Sequence, residues 1–490
     1  MKSQSNSRRS LFGIILRLAW PTIVEQALQT IVIYINTAMI GELGKNASAA
    51  VGLTATVCWL INSPAFAIGI GATACISRAI GEENAAEVRT YAAQAVKASL
   101  VLGLIMTALT LGISPFLPAW LGAEPVIQHD ASVYFALICA PYLLNAMNII
   151  FGAVLRGAGD TRTAMRVNLI INLVHILFNF LFIYETRTVT LFGLSFSMFG
   201  LGWGIAGAGI STAICYVLGG LWMIRALRKH EIFAFQWKNL REKHAPALRA
   251  ILGIATPIAL SRLATCLGQV VFTRLVTSLG TTVFAAHSIA LTAEEAFYIP
   301  GYGMQSAATT LTGNAIGARD AKRLHETSRM LIWLSFGFMT MTGGLLFLLS
   351  RQMMQLFTPD ADVIALGASA LRIVALSEPV FGISIILEGI FNGAGDTRLP
   401  FLYSLIGMWG IRILGTFLCV HVFHLGLNAV WLCMVGDNVC RGILLALRFR
   451  KRGFHTPSLH KKAAKWLPFF KLYFFEGGST SPPMPGGTRT

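Results

Sequence analysis

The sequence predicts an all-α membrane protein, with twelve transmembrane helices in two pseudo-symmetric lobes of six. Three observations lead there. Of 490 residues, 55% are hydrophobic and only 12% charged, whereas a soluble domain carries about 25% charged residues. Apolar runs long enough, or nearly so, to cross a bilayer core of ~30 Å recur along the whole chain. The hexamer GAGDTR stands at 157–162 and again at 393–398, an offset of 236, and such self-similarity calls for a search for duplication.

Taken in order, the chain opens with a short basic tail, 1–13. MKSQSNSRRS resembles the basic end of a signal peptide, but the run behind it is too long and carries Glu25, Gln26 and Gln29. It therefore reads as an uncleaved first helix. The spans of the first lobe (14–225) are 14–40, 50–76, 92–115, 131–155, 167–183 and 204–224. A basic connector follows at 226–250. The second lobe (251–448) has 251–276, 283–308, 331–349, 364–391, 401–423 and 429–447. All are too long for barrel strands, and helices satisfy their backbone groups internally in lipid. The tail, 449–490, is basic at 448–452 and 461–465, where it meets anionic lipid. Its end, GGSTSPPMPGGTRT, has a disordered composition.

The net charge of +17 raises nucleic acid as a partner, and the placement of the charge removes it. The tails and even-numbered loops, with Arg17 at the mouth of the first span, hold 30 of the 39 Lys and Arg residues. The odd-numbered loops hold only Lys45, Arg187 and Arg351. This asymmetry places both termini in the cytoplasm and the chain in the inner or plasma membrane. The eight cysteines show no CxxC spacing and mostly sit inside spans, as packing residues.

The offset of 236 survives testing elsewhere. Pro21 maps to Pro257, Leu43-Gly44 to Leu279-Gly280, Ala49-Ala50 to Ala285-Ala286, Ile80-Gly81 to Ile316-Gly317 and Ser114 to Ser350. Further on, Leu201-Gly202 pairs with Leu425-Gly426, so the first half holds extra residues near 186–199. Six spans per half make the copies run the same way, related by an axis along the membrane normal. Transporters are often built so, with sites between or within the halves. Each hexamer follows the fourth helix of its half. Its glycines permit a tight turn, and Asp160 and Asp396 are placed to cap the next helix.

Charged groups inside a span cost ~2.5–3.5 kcal/mol at mid-helix, so they face protein or water. Glu25, Gln29 and Asn36 share one face of the first span, and Asn168, Asn172, His175 and Asn179 form a second stripe on the fifth. Interhelical hydrogen bonds explain such stripes; so does a hydrated cavity that binds a cation or proton. In the eighth span His287, Glu294 and Tyr298 share a face, with Glu295 adjacent. The tenth carries Glu378 and Glu388, the latter on one face with Asn392. Carboxyls withdrawn from water hold their protons toward neutral pH. The seventh aligns Arg262, Cys266, Gln269 and Thr273, with Arg262 a structural partner for an acid. Arg412, Asp437 and Arg441 form a structural charge group. The 31 Phe and 16 Met residues suit a pliable apolar pocket, though such residues also face lipid.

PTIVEQALQTIVIYINTAMIGELG, LGTTVFAAHSIAL, AATTLTGNAIGARD, both hexamers, MWGIR and VGDNVCRG, in that framework, resemble the multidrug and toxic compound extrusion transporters over residues 15–450. The resemblance implies two six-helix lobes around a central cavity, and antiport of organic, often cationic compounds against H⁺ or Na⁺. At Asn36 that family has Asp in a D-T-x-x-x-G pattern, and at Asn179 many members also have Asp. This chain puts an amide at both places. Glu25 and His175 remain as titratable groups on those faces, and histidine's pKa of about 6.5 favours H⁺ over Na⁺.

The coupling candidates are thus Glu25, Asn36, His175, Asn179, Glu294, Glu388 and Glu378. The cavity candidates are Gln29, Asn168, Asn172, Glu295, Tyr298 and Gln269. No cofactor is expected besides the coupling ion, and no metal site save one for Na⁺. The partners expected are small organic substrates and the bilayer, for a monomer. GWGIAG at 202–207 fits GxGxxG but opens a membrane helix without a βαβ setting. With no Walker A, HExxH, GxSxG or Cys/His cluster, the sequence reads neither as an ATP-driven pump nor as a membrane enzyme. A flippase for a lipid-linked sugar or other amphiphile is the alternative; an acidic, amide-rich cavity favours cationic guests instead.

Overall fold

The computed structural model describes residues 2–191, 194–233 and 244–451. The middle of the connector and the basic tail beyond 451 lie outside the described residues. Membrane-length helices dominate, because a lipid core leaves the backbone no other partner than itself.

The first lobe contains α1 (Lys2–Glu42), α2 (Lys45–Gly81), α3 (Ala85–Ile113), the single turn α4 (Leu117–Trp120), α5 (Pro125–Cys139), α6 (Tyr142–Gly157), α7 (Thr161–Ile183) and α8 (Gly204–Lys229). The second contains α9 (Ala245–Thr277), α10 (Thr281–Gly317), α11 (Ala321–Gln355), α12 (Ala361–Ala375), α13 (Glu378–Gly393), α14 (Arg398–Leu405), α15 (Leu414–Phe417) and α16 (Leu427–Lys451). A π-helical stretch, Ile406–Ile413, joins α14 to α15, and a second, Leu418–Val422, follows α15.

Twelve crossings result, with two features that hydropathy alone does not give. The fourth and tenth are broken: α5 and α6 meet at 50°, α12 and α13 at 55°. Pro141 and Pro379 stand at these breaks, where proline's missing N–H and fixed φ end a helix. The eighth crossing, α10, falls below the hydropathy of a membrane span because it carries His287, Glu294, Glu295 and many small polar residues. Its 37 residues are nonetheless long enough to cross.

The duplication is visible in matched local devices. Gly44 and Gly280 adopt φ 107° and 106°, a left-handed turn that a side chain would strain, and start α2 and α10. Asn84 and Asp320 cap α3 and α11, each accepting from the backbone N–H three residues on. Asp160 caps α7 as expected, accepting from Thr163 N at 3.1 Å. The second hexamer differs: Thr397 holds the N-cap position of α14, and Asp396 lies 3.7 Å from Arg448 Nη2. The extra residues of the first half fold as an antiparallel hairpin, β1 (Glu185–Leu191) and β2 (Leu194–Leu201). It is a small addition to the helical fold, at the insertion that the repeat offset locates. Threonines recur at every second residue of β1 and serines alternate with apolar residues at the start of β2, the period of two of a strand.

The lobes exchange helices at their basic end, where α1 begins and α16 finishes. Leu11, Ile15 and Ala19 of α1 pack with Met304, Leu311, Ile386 and Ile390 of the second lobe. Ile251, Ile254 and Ile258 of α9 pack into the core of the first. At the same end α2 crosses α10. A Cβ on Gly81 would meet the Asn314 carbonyl oxygen, and one on Gly317 the Arg78 carbonyl oxygen. The offset relates these two contacts to each other, so the glycine pair lies about the pseudo-two-fold axis. Only glycine permits so close an approach.

Candidate functional site

In the first lobe, α1 meets α7 along the two polar stripes. Asn168 Nδ2 donates to Glu25 Oε1 at 2.6 Å, and Asn179 Nδ2 donates to Asn36 Oδ1 at 3.0 Å. Helical phase gave the two stripes; their packing brings these four residues together. His175 departs from its stripe: its Nε2 lies 3.2 Å from Thr212 Oγ1 on α8, so it serves the α7–α8 contact. Gln29 is exposed. Asn172 is half-buried, and its Nδ2, like Asn148 Oδ1 and Asn179 Oδ1, is a buried polar atom without a partner. The two oxygens are acceptors open to water or a cation, and the Asn172 Nδ2 is a donor open to water.

Glu25 has a partner that sequence reasoning missed. Arg156, at the end of α6, lies 3.2 Å from Glu25 Oε1 through its Nη1. Arg156 follows directly on the fourth expected span, 131–155, so hydropathy reads it as a loop charge. The repeat held the signal: at an offset of 236, Glu25 becomes Ser261 and Arg156 becomes Asn392. Two opposite charges vanish together in the second copy, as they would if each existed to neutralise the other. The Arg156 carbonyl also accepts from Thr310 Oγ1 of α10 at 3.1 Å, which ties this pair to the other lobe.

The second lobe presents a different arrangement. Glu294 is buried on α10, and its neighbour Glu378 is 0% exposed at the first position of α13. Both carboxyl oxygens of Glu378 lack a hydrogen-bond partner. The break between α12 and α13 delivers this side chain to the interior, and Gly343 of α11 makes room for it. A Cβ there would lie 2.9 Å from Glu378 Cβ and 2.8 Å from the Ala375 carbonyl oxygen. Tyr298 stacks edge-on against Tyr302 and Phe381, at 6.0 and 5.6 Å between ring centroids, within electrostatic reach of Glu294, Glu295 and Glu378. In the first copy these positions are neutral. Cys58, Asn62 and Tyr142 replace Glu294, Tyr298 and Glu378, and the Tyr142 hydroxyl donates to the Ile61 carbonyl at 2.7 Å.

Other candidates lie around this cluster. Glu295 is half-buried near Tyr34, whose hydroxyl donates to the Thr292 carbonyl at 2.5 Å. Glu388 is half-buried beside Tyr302, and Asn392 one turn on is buried. Gln269 is half-buried on α9 and takes no part in these bonds. His287 sits between the rings of Phe272 and Trp431, both of its nitrogens unpaired. Among the described residues no acid pairs with Arg262; its guanidinium lies 5.4 Å from the Phe66 ring centroid across the lobe seam. Asp437, 1% exposed, accepts from Arg412 at 2.9 Å and Arg441 at 3.5 Å. Arg412 belongs to the first π-helical stretch, a form that recurs at functional sites. It is the cation closest in effect to Glu294.

Between the lobes lies an apolar cavity of about 440 Å³, lined by Leu60, Ser63 and Pro64 of α2, Met106 of α3, and Thr256 and Leu263 of α9, among others.

Comparison with known proteins places this geometry in context. The MatE family model matches residues 21–181 and 257–418, two copies whose starts fall at the sequence offset. The chain is 28% identical over 436 residues to a probable multidrug resistance protein NorM of Thermotoga maritima, covering 89% of this chain and 91% of that one. A protein with the same name in Rhodopseudomonas palustris is 30% identical over 458 residues, with 89% and 91% covered. Among solved structures, an outward-facing multidrug resistance MATE family transporter of the MOP superfamily superposes with a TM-score of 0.83 at 23% identity, covering 90% of this chain and 95% of that one.

Proposed function

The chain belongs to the MatE family of multidrug efflux transporters, and on that premise we propose that it is a secondary antiporter driven by protons through Glu294 and Glu378. It exports organic, often cationic and amphipathic compounds. Its basic end faces the cytoplasm, as the Lys and Arg distribution supports. The observation that carries the reading is Glu378, a wholly buried carboxyl with both oxygens unpaired beside a second buried acid.

A carboxylate so placed has lost its water and gained no donor, a costly state. A proton removes the cost, and so does a cationic guest nearby. The two therefore compete for one acidic cluster, which is the requirement for exchange. Glu295 and Tyr298 line the guest's side of the cluster. Rocking of the lobes, which parts and closes the Gly81–Gly317 crossing at the basic end, then exposes it to either side in turn. Glu25 stands apart from this scheme, because Arg156 already supplies its counter-charge.

Ethidium export from proteoliposomes, with a proton or a Na⁺ gradient imposed in turn, tests this. We expect a proton gradient to suffice, and Glu294→Gln and Glu378→Gln each to abolish gradient-driven export while ethidium still binds. Full transport by both variants would move coupling to the first lobe, and dependence on Na⁺ alone would refute proton exchange.

A further inference from the structure

We infer that the basic end of α8 is a binding site for an anionic phospholipid, with its phosphate on Arg225, Arg228 and Lys229 and its acyl chains along Leu221 and Ile224. These five residues line a cavity of about 490 Å³. Positions 221, 225, 228 and 229 follow i, i+4, i+7 and i+8, so they form one face of the helix. Along that face chemistry changes from apolar to basic within two turns, as a membrane does from acyl chain to headgroup. Leu221 is 52% exposed, and Trp222 beside it is exposed, a residue type that favours the headgroup level.

The three bases are free to bind an anion. Among the described residues none is paired with a carboxylate. Asp160, on the nearby hexamer turn, is already engaged: it caps α7 and lies 3.8 Å from His230 Nε2. The chain just after the bases is fixed. Phe233 is buried with its ring 5.0 Å from that of His230, and the Ile232 carbonyl accepts from Arg89 Nε at 3.4 Å. The site is therefore formed before its ligand arrives. Its depth at the end of a membrane-spanning helix and its apolar half select a lipid over a soluble anion. It is independent of which ion drives transport, and it lies where the first lobe hands the chain to the connector.

The full-length protein, reconstituted in phosphatidylcholine with and without phosphatidylglycerol, provides the test. Native mass spectrometry of the purified protein should show phosphatidylglycerol retained, and Arg225→Gln/Arg228→Gln should lose it. Occupancy should fall about fivefold for each charge removed. Lys322→Gln/Arg323→Gln, on the other lobe, should retain it, and equal melting temperatures of the two variants in detergent establish that the loss is not misfolding. Retention undiminished in Arg225→Gln/Arg228→Gln would overturn the proposal. So would displacement of the lipid by millimolar inorganic phosphate, which would make this a simple anion site.

Discussion

The Asn179 side-chain amide donates to Asn36 Oδ1 at 3.0 Å and holds α7 against α1 with no net charge. One neutral hydrogen bond joins the two amides, and Asn179 Oδ1 is left without a partner. Asn36→Asp keeps the acceptor oxygen and adds a titratable group. The variant should fold, and its export should acquire an additional inflection with external pH, read from initial rates. Asn36→Leu leaves Asn179 Nδ2 without an acceptor and should lower stability by about 1–3 kcal/mol, measured by thermal unfolding in detergent.

The Glu25–Arg156 pair should show strong coupling. Removing one partner strands a charge that is largely buried, which typically costs ~3–5 kcal/mol. Glu25→Gln and Arg156→Gln should each destabilise, and the double variant should lose much less than the sum of the two. Additive losses in a double-mutant cycle would mean that the 3.2 Å contact carries no net energy.

Gly343 permits the placement of Glu378. Even the methyl group of Gly343→Ala would sit within van der Waals contact of Glu378 Cβ and the Ala375 carbonyl. This variant should weaken proton-driven export as Glu378→Gln does, although it removes no ionisable group. Unaltered pH dependence of export in Gly343→Ala would separate the two residues.

The crossing of α2 and α10 should act as a gate at the basic end. Gly81→Leu and Gly317→Leu each force the helices apart at symmetry-related points, since a Cβ at either has no room. Both should raise labelling of a cysteine placed at Ser77 by a membrane-impermeant maleimide, applied from the basic side to a cysteine-free background. Their effects should be alike, because the contacts are related by the pseudo-two-fold axis.

The two hexamers should respond differently to one substitution. Asp160→Ala removes a helix cap and should cost ~0.5–2 kcal/mol. Asp396→Ala removes a partly exposed ion pair with Arg448, whose value is smaller and falls with salt. Melting temperatures at low and high ionic strength distinguish them.

Of the fold, the sequence alone determined the number of crossings, the doubling and its offset, and several local devices such as the Asp160 cap. These depend on hydropathy, spacing and backbone geometry within a few residues, all written in one dimension. It also set out the polar stripes of the first and fifth spans, because helical phase fixes which residues share a face; the packing of α1 on α7 then brought Asn36 to Asn179 and Glu25 to Asn168. Only the tertiary structure decided that Arg156 neutralises Glu25, that His175 turns to α8, that Arg262 lies over Phe66 instead of an acid, and that Glu378 has no partner. It also decided that α1 and α9 lean on the opposite lobes. The reason is physical: in lipid, apolar side chains serve equally well against neighbours or acyl tails, so hydropathy does not fix the rotation of a helix about its axis. That rotation is set by packing against the other helices, and packing selects which polar groups meet.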